Sequence, residues 1–142
     1  MSATPTSSLL GILQHYRPAS LLCVSRSEIP AVKAWLQEHP DCRVSSTDDV
    51  PLSDDLRNQR YDLAIVADQL EHLDKRTATE LLAGLRNLSA SRIAVLVDME
   101  RIDDWQENDF YALALQRHAR FSQDGQSLTL YAYDLAEYKS VP

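Results

Sequence analysis

Glycine is scarce in this 142-residue chain, which holds only Gly11, Gly84 and Gly125. Loops that cradle phosphate or pyrophosphate need closely spaced glycines, because the backbone must approach the ligand and often adopts positive φ. No P-loop, no Gly-x-Gly-x-x-Gly and no Gly-x-Ser-x-Gly occurs. Cysteine is as rare. Cys23 and Cys42 make no disulfide framework and lack zinc-ligand spacing. Both sit in apolar, strand-like runs, so they read as buried thiols, and no metal is expected. No run approaches ~18 consecutive apolar residues. Met1 to Ser8 is rich in Ser and Thr without a basic start, so neither a membrane span nor a secretion signal is expected, and the expected location is cytoplasmic. Positive charge is also short: 14 Lys and Arg stand against 21 Asp and Glu, a net charge of −7. Nucleic acid and anionic membrane are bound through clustered Lys and Arg, and none are clustered here.

What is present is an ordinary globular composition, 44% hydrophobic and 25% charged, enough for one domain with a sizeable core. Residues 1–18 read as a tail and short helix, and 19–142 as a single α/β domain. Ser7 or Ser8 is expected to cap a helix running to Tyr16, with Leu9, Leu10, Ile12 and Leu13 as its apolar stripe and Pro18 as its stop. Leu21–Val24 reads as the first strand. Ile29 to Glu38 has helical spacing with Pro30 in its first turn, and Cys42–Ser45 is a weak second strand. Thr47 to Arg60 is polar, with a helical turn after Ser53.

The apolar run Asp62–Ala67 is the third strand, buried on both faces. Lys75–Leu88 is an amphipathic helix that buries Leu81, Leu82, Leu85 and Leu88. Arg92–Val97 is the fourth strand. A helix from Trp105 to His118, capped by Asp103 or Asp104, follows, with Trp105, Phe110, Leu113 and Leu115 inward. Asp124-Gly125 is a hairpin signal between Arg120–Ser122 and Ser127–Asp134. Trp35, Tyr131, Tyr133 and Tyr138 read as core or half-buried residues.

Strand alternating with helix implies parallel units with right-handed crossovers. The expected fold is α/β and Rossmann-like: a mostly parallel sheet of about six strands, an antiparallel strand from the carboxyl-terminal hairpin, and helices on both faces. Numbered along the chain, the strands are expected in the order 2-1-3-4-6-5. A ligand crevice then opens between strands 1 and 3, which brings Ser25–Glu28 beside Asp68–His72.

Tyr61-Asp62-Leu63-Ala64-Ile65-Val66 followed by Asp68-x-x-Glu71-His72-Leu73 resembles the fourth-strand motif of class I S-adenosylmethionine-dependent methyltransferases. The likeness runs from about Ser20 to Tyr138. It implies that Asp68, Glu71 and His72 stand near the cofactor's adenine or the methyl-transfer site. Asp48 or Asp49, after the second strand, falls where that family commonly holds the cofactor ribose. The first-strand loop departs from the family. Cys23 stands at the acidic position, Ser25 and Ser27 stand where glycines belong, and Arg26 projects a cation beside them. Too few residues separate strands two and three for the helix, strand and helix of the family, so one sheet edge is trimmed. The chain thus resembles a small, degenerate member without the glycine-rich loop.

Each candidate has a plainer structural alternative. Glu71 and His72 can be an acid/base pair, or simply the start of a helix, with Glu71 favoured by the macrodipole. Asp48 and Asp49 can hold a ribose or form a solvated acidic loop. Ser25, Arg26 and Ser27 can bind a carboxylate or phosphate, or make a strand-to-helix turn capped by Ser27. Cys23 lacks an activating base.

The leading expectation is a non-catalytic methyltransferase-like domain with a degenerate cofactor site, binding S-adenosylmethionine weakly or not at all. One alternative is a small S-adenosylmethionine-dependent methyltransferase of unknown substrate, with Asp68, Glu71 and His72 as its catalytic set and Ser25, Arg26, Ser27, Asp48 and Asp49 around the cofactor. A third is a module for a small anionic ligand. The bare edge of a trimmed sheet calls for a cover: the amino-terminal helix, a second copy of the chain in a homodimer, or another protein.

Overall fold

The computed structural model describes residues 4–123 and 125–135, so Tyr138 and the aspartate of the Asp124-Gly125 turn lie outside the described residues. Helix α1 (Pro5–Tyr16) starts earlier than its serines suggest. Thr4 is the cap, accepting the Ser7 N–H, while the Ser7 hydroxyl accepts the Thr4 N–H. That reciprocal box with Pro5 at the first position outcompetes Ser7 or Ser8 as a start. Arg17, with φ 49°, and Pro18 end the helix.

Strand β1 (Ser20–Ser25) leads to α2 (Pro30–Glu38), then β2 (Arg43–Thr47) and the single turn α3 (Asp54–Arg57), capped by Ser53. Cys42 therefore precedes its strand and is only partly buried. Strand β3 (Leu63–Ala67) ends in a 3₁₀ turn at Leu70–His72, and α4 (Lys75–Gly84) follows. Strand β4 (Arg92–Asp98), helix α5 (Glu107–Ala112) and the hairpin of β5 (Gln116–Gln123) and β6 (Gln126–Asp134) complete the chain. Gly125, at φ 77°, supplies the left-handed residue that the hairpin turn requires.

The sheet has six strands in the order β2-β1-β3-β4-β6-β5. The first four in that order are parallel, and β6 runs antiparallel to both of its neighbours. Side chains alternate between two cores. Leu22, Val24, Ala64, Val66 and Val95 face α4 and α5, with Leu82, Phe110 and Tyr131. Leu21, Cys23, Leu63 and Ile65 face α1 and α2, with Leu13, Trp35, Phe121 and Leu130. This is the Rossmann-like α/β fold with helices on both faces.

Two local readings give way to tertiary pairing. The α4 stripe stops short because the backbone widens into a π turn over Leu85–Ser89, with the Ala90 N–H donating to the Leu85 carbonyl. The extra residue per turn rotates Leu88 outward to 63% exposure while Leu85 and Ser89 go in. The helix expected from Trp105 to His118 is only α5. The Asp109 carboxylate accepts the Gln106 N–H at its start, instead of a cap from Asp103 or Asp104, and Ala114 at φ 66° breaks the helical run. Gln116 and Arg117 then pair with Ala132 and Tyr131, because β6 needs a partner along its length. Trp105 is still buried, in a stack with Phe110 and Tyr131.

The amino-terminal helix does not cover the trimmed edge. Among the described residues α1 lies over the middle of the sheet, where Tyr16 stacks on the Arg92 guanidinium at 4.1 Å. Strand β2 is left as a short edge with Arg43 exposed, a composition that discourages strand addition. No helix among the described residues is long and apolar enough to cross a membrane.

Phe110 is fully enclosed, with ring centroids of Trp105 and Tyr131 at 4.6 and 4.0 Å. Phe110→Ala is expected to cost about 3–5 kcal/mol in urea unfolding, whereas Leu88→Ala should stay within about 0.5 kcal/mol. A large loss at Leu88 would mean that the helical stripe, rather than the π turn, describes the folded state.

Candidate functional site

The connections from β1 and β3 leave in opposite directions, β1 through α2 to β2 and β3 through α4 to β4. Their carboxyl ends therefore part, and a crevice opens there. It forms a cavity of about 350 Å³ whose lining includes Ser27, Glu28 and Ile29 after β1, Asp68 and Glu71 after β3, and Asp98 ending β4. The first turns of α1, through Pro5, Thr6 and Leu9, form one wall. The two segments expected to meet, 25–28 and 68–72, do meet.

The turn after β1 is closed on itself. The Ser25 hydroxyl donates to the Ser27 carbonyl at 2.7 Å and accepts the Ser27 N–H at 3.2 Å. Helix α2 is capped by the backbone of Ile29 with no side-chain bond, so Ser27 is not the cap. It stands two residues before the capping position, because Pro30, which lacks an N–H, takes the first helical position. Ser25 and Cys23 line a neighbouring hollow of about 270 Å³ between α2 and β2, with Ser46. Burial pushes the Cys23 thiol up to about 12, so it is a protonated, inert group.

Asp68 holds φ 48°, a left-handed conformation that Asp tolerates better than most residues. Its Oδ1 lies 2.9 Å from His72 Nε2, and both side chains are about a third or more open to solvent. The segment Leu70–His72 is a 3₁₀ turn of its own, not the start of α4. Asp74 caps α4 instead, accepting the Thr77 N–H and hydroxyl, and those bonds hold its carboxyl below the usual range. Glu71 turns inward: its Oε2 accepts the Asp98 N–H at 2.8 Å, while Oε1 is enclosed without a partner.

Other expected residues stand apart from the crevice. Arg26 is exposed and outside both hollows. The Asp48 carbonyl accepts from Gln69 Nε2 at 3.1 Å, and the Asp49 N–H donates to Thr47 Oγ1, so this loop is tied by its backbone. His72 is at the rim, outside the lining.

Residues missed in the sequence are Asp98, Arg101, Gln126, Leu128 and the α1 wall. The signal for Asp98 was available, since it ends an apolar strand as Asp68 follows one. The crevice lining carries the carboxylates of Glu28, Asp68, Glu71 and Asp98 against the guanidinium of Arg101. Glu28 is shared with Lys33 at 3.7 Å. Such a hollow is suited to a cationic or hydrogen-bond-donating ligand, and poorly to an anion. Among the described residues, no three His, Cys, Asp or Glu side chains gather as a metal site.

Residues 3–142 match a family of unknown function (DUF6231), and the chain belongs to that family. No curated protein sequence matches it. Among solved structures it is similar to the magnesium protoporphyrin IX methyltransferase ChlM of Synechocystis PCC 6803 with bound SAM, at 12% identity and TM-score 0.58, over 89% of this chain and 76% of that one. It is also similar to the S-adenosylmethionine-dependent methyltransferase SibL in its apo form, at 13% identity and TM-score 0.60, over 92% of this chain and 55% of that one. The methyltransferase domain of bacterial CtHen1-C is similar at 11% identity and TM-score 0.56, over 91% and 96%. The fold is therefore that of class I S-adenosylmethionine-dependent methyltransferases, although this chain spans only about half the length of SibL.

Glu71 ties the turn after β3 to the end of β4, so Glu71→Ala leaves the Asp98 N–H without its acceptor. The expected cost is about 1–3 kcal/mol by urea unfolding. Glu71→Gln retains an acceptor and should lose clearly less. Equal losses in the two variants would show that this bond does not hold the crevice together.

Proposed function

We propose that this chain is a non-catalytic methyltransferase-like domain that keeps the fold and does not use S-adenosylmethionine. The carrying observation is the closed turn after β1. In the methyltransferases it resembles, backbone of this loop is open to the cofactor's methionine end. Here the Ser25 hydroxyl occupies both the N–H and the carbonyl of Ser27. The residues present do not fit the cofactor in other ways as well. Cys23, protonated and uncharged, stands where a carboxylate is expected to anchor the cofactor's ammonium group. Losing one charge-assisted hydrogen bond costs about 1.5–3 kcal/mol. Only α3 and loops connect β2 to β3, so β2 is the sheet edge and one adenosine wall is missing. Together these losses amount to a weakening of more than about a hundredfold, at ~1.4 kcal/mol per decade.

One observation favours an enzyme instead. Asp68 and His72 make a 2.9 Å pair at the rim, with Asp68 in an uncommon backbone conformation, and such a pair can move a proton. The anionic-ligand module has less support, because Arg26 stands outside the crevice and carboxylates dominate the lining.

Calorimetry with S-adenosylmethionine and S-adenosylhomocysteine, on protein freed of bound ligand, is expected to give no micromolar binding. The variant carrying Cys23→Asp, Ser25→Gly and Ser27→Gly separates the causes. Recovered binding indicts the loop, and continued silence indicts the missing edge. Micromolar affinity in the unmodified protein would contradict the proposal, and the Asp68–His72 pair would become the first target for mutation.

A further inference from the structure

Asp98 is an unusual residue in this crevice. It is only 4% exposed, yet it lines the cavity. Its Oδ1 accepts the Glu100 N–H at 3.1 Å, and among the described residues no donor reaches Oδ2. The enclosed polar atoms without partners include Glu71 Oε1 but not Asp98 Oδ2, so that oxygen keeps an opening, and Asp98 lines the cavity. A carboxylate oxygen left free by the protein at the wall of a small, partly apolar cavity is an acceptor that a ligand's N–H can use. Most of the other charged groups nearby have a partner, although Glu71 Oε1 stays enclosed without one. Glu28 is shared with Lys33, Asp68 with His72, and Glu71 Oε2 with the Asp98 N–H. Arg101 is exposed at the rim. Leu9, Ile29 and Leu96 add apolar surface to the same lining. The volume of about 350 Å³ is at the small end of ligand pockets.

The geometry points to a small organic ammonium ion with an apolar body as the ligand of this cavity, its N–H donating to Asp98 Oδ2 and its body against Leu9, Ile29 and Leu96. This assignment rests on the reading above that S-adenosylmethionine does not occupy the crevice. An alcohol of the same shape lacks the charge, and a carboxylic acid meets four carboxylates in the lining.

Titration calorimetry of the full chain at low ionic strength, with phenethylamine, phenethyl alcohol and hydrocinnamate as matched probes, tests it. Phenethylamine is expected to bind with a dissociation constant on the order of 1 mM or tighter, and the other two at least about tenfold more weakly. Asp98→Asn should weaken the amine at least about tenfold while the near-ultraviolet circular dichroism stays native. Leu96→Phe, which fills the apolar wall and leaves every carboxylate in place, should also weaken it. Equal affinities for amine and alcohol, no heat from the amine, or unchanged amine affinity in Asp98→Asn would overturn the assignment. If Asp98→Asn does not fold, the amine-against-alcohol comparison and Leu96→Phe decide. S-adenosylmethionine binding in the same titration contradicts the non-catalytic reading. Silence from phenethylamine and S-adenosylmethionine alike contradicts the ammonium site alone.

Discussion

The parallel pairing of β1 with β3, from Leu21 against Leu63 to Ser25 against Ala67, is the constraint on which the rest depends. Two parallel strands cannot be joined by a hairpin, so each must hand the chain to a crossover. With β1 turning toward β2 and β3 toward β4, those crossovers fall on opposite faces of the sheet. Both faces are thereby covered, which is why β1 and β3 are apolar at almost every position. The same divergence leaves the strand ends without neighbours above them. Polar residues can stand there without burying charge in a core, and Ser25 and Asp68 do so.

The crevice is then shaped by short bonds between loops. Glu71 reaches the backbone of β4, and the Asp98 carboxylate receives the next turn's Glu100 N–H, so the segments after β3 and β4 are fixed relative to each other. Ser25 fixes the third segment onto itself. Helix α1 closes one side through Leu9, whose burial belongs to the core that holds Trp35 and Ile65. An apolar wall anchored in the core and several carboxylates line the same cavity, and that combination gives the site its chemical character. Membership of the fold specifies none of this, since the same sheet serves many activities.

The sheet order was legible because apolar runs, Pro18 and the Asp-Gly hairpin each state their meaning locally. So was the meeting of 25–28 with 68–72, which follows from order alone. What escaped depends on distant pairing. Leu88 keeps helical spacing in sequence, and only the π turn moves it out. Residues 113–118 carry a helical stripe that the partner demand of β6 overrides. Ser27 has the chemistry of a cap, but the fixed φ of Pro30 sets where α2 begins. The α1 wall was invisible because no local pattern says which strand ends a helix will flank. For Glu71 the helix-start alternative fails: its carboxylate is turned to the Asp98 backbone, and it sits in a 3₁₀ turn of its own.

The central proposal is that the Ser25 hydroxyl, by holding the N–H and carbonyl of Ser27, closes this turn to the cofactor. Amide nuclear magnetic resonance on isotopically labelled protein reads that turn directly. With S-adenosylhomocysteine raised to about 1 mM, the Ser27 and Asp68 amide signals are expected to stay in place. Saturable shifts at both, reached at micromolar ligand, would contradict it.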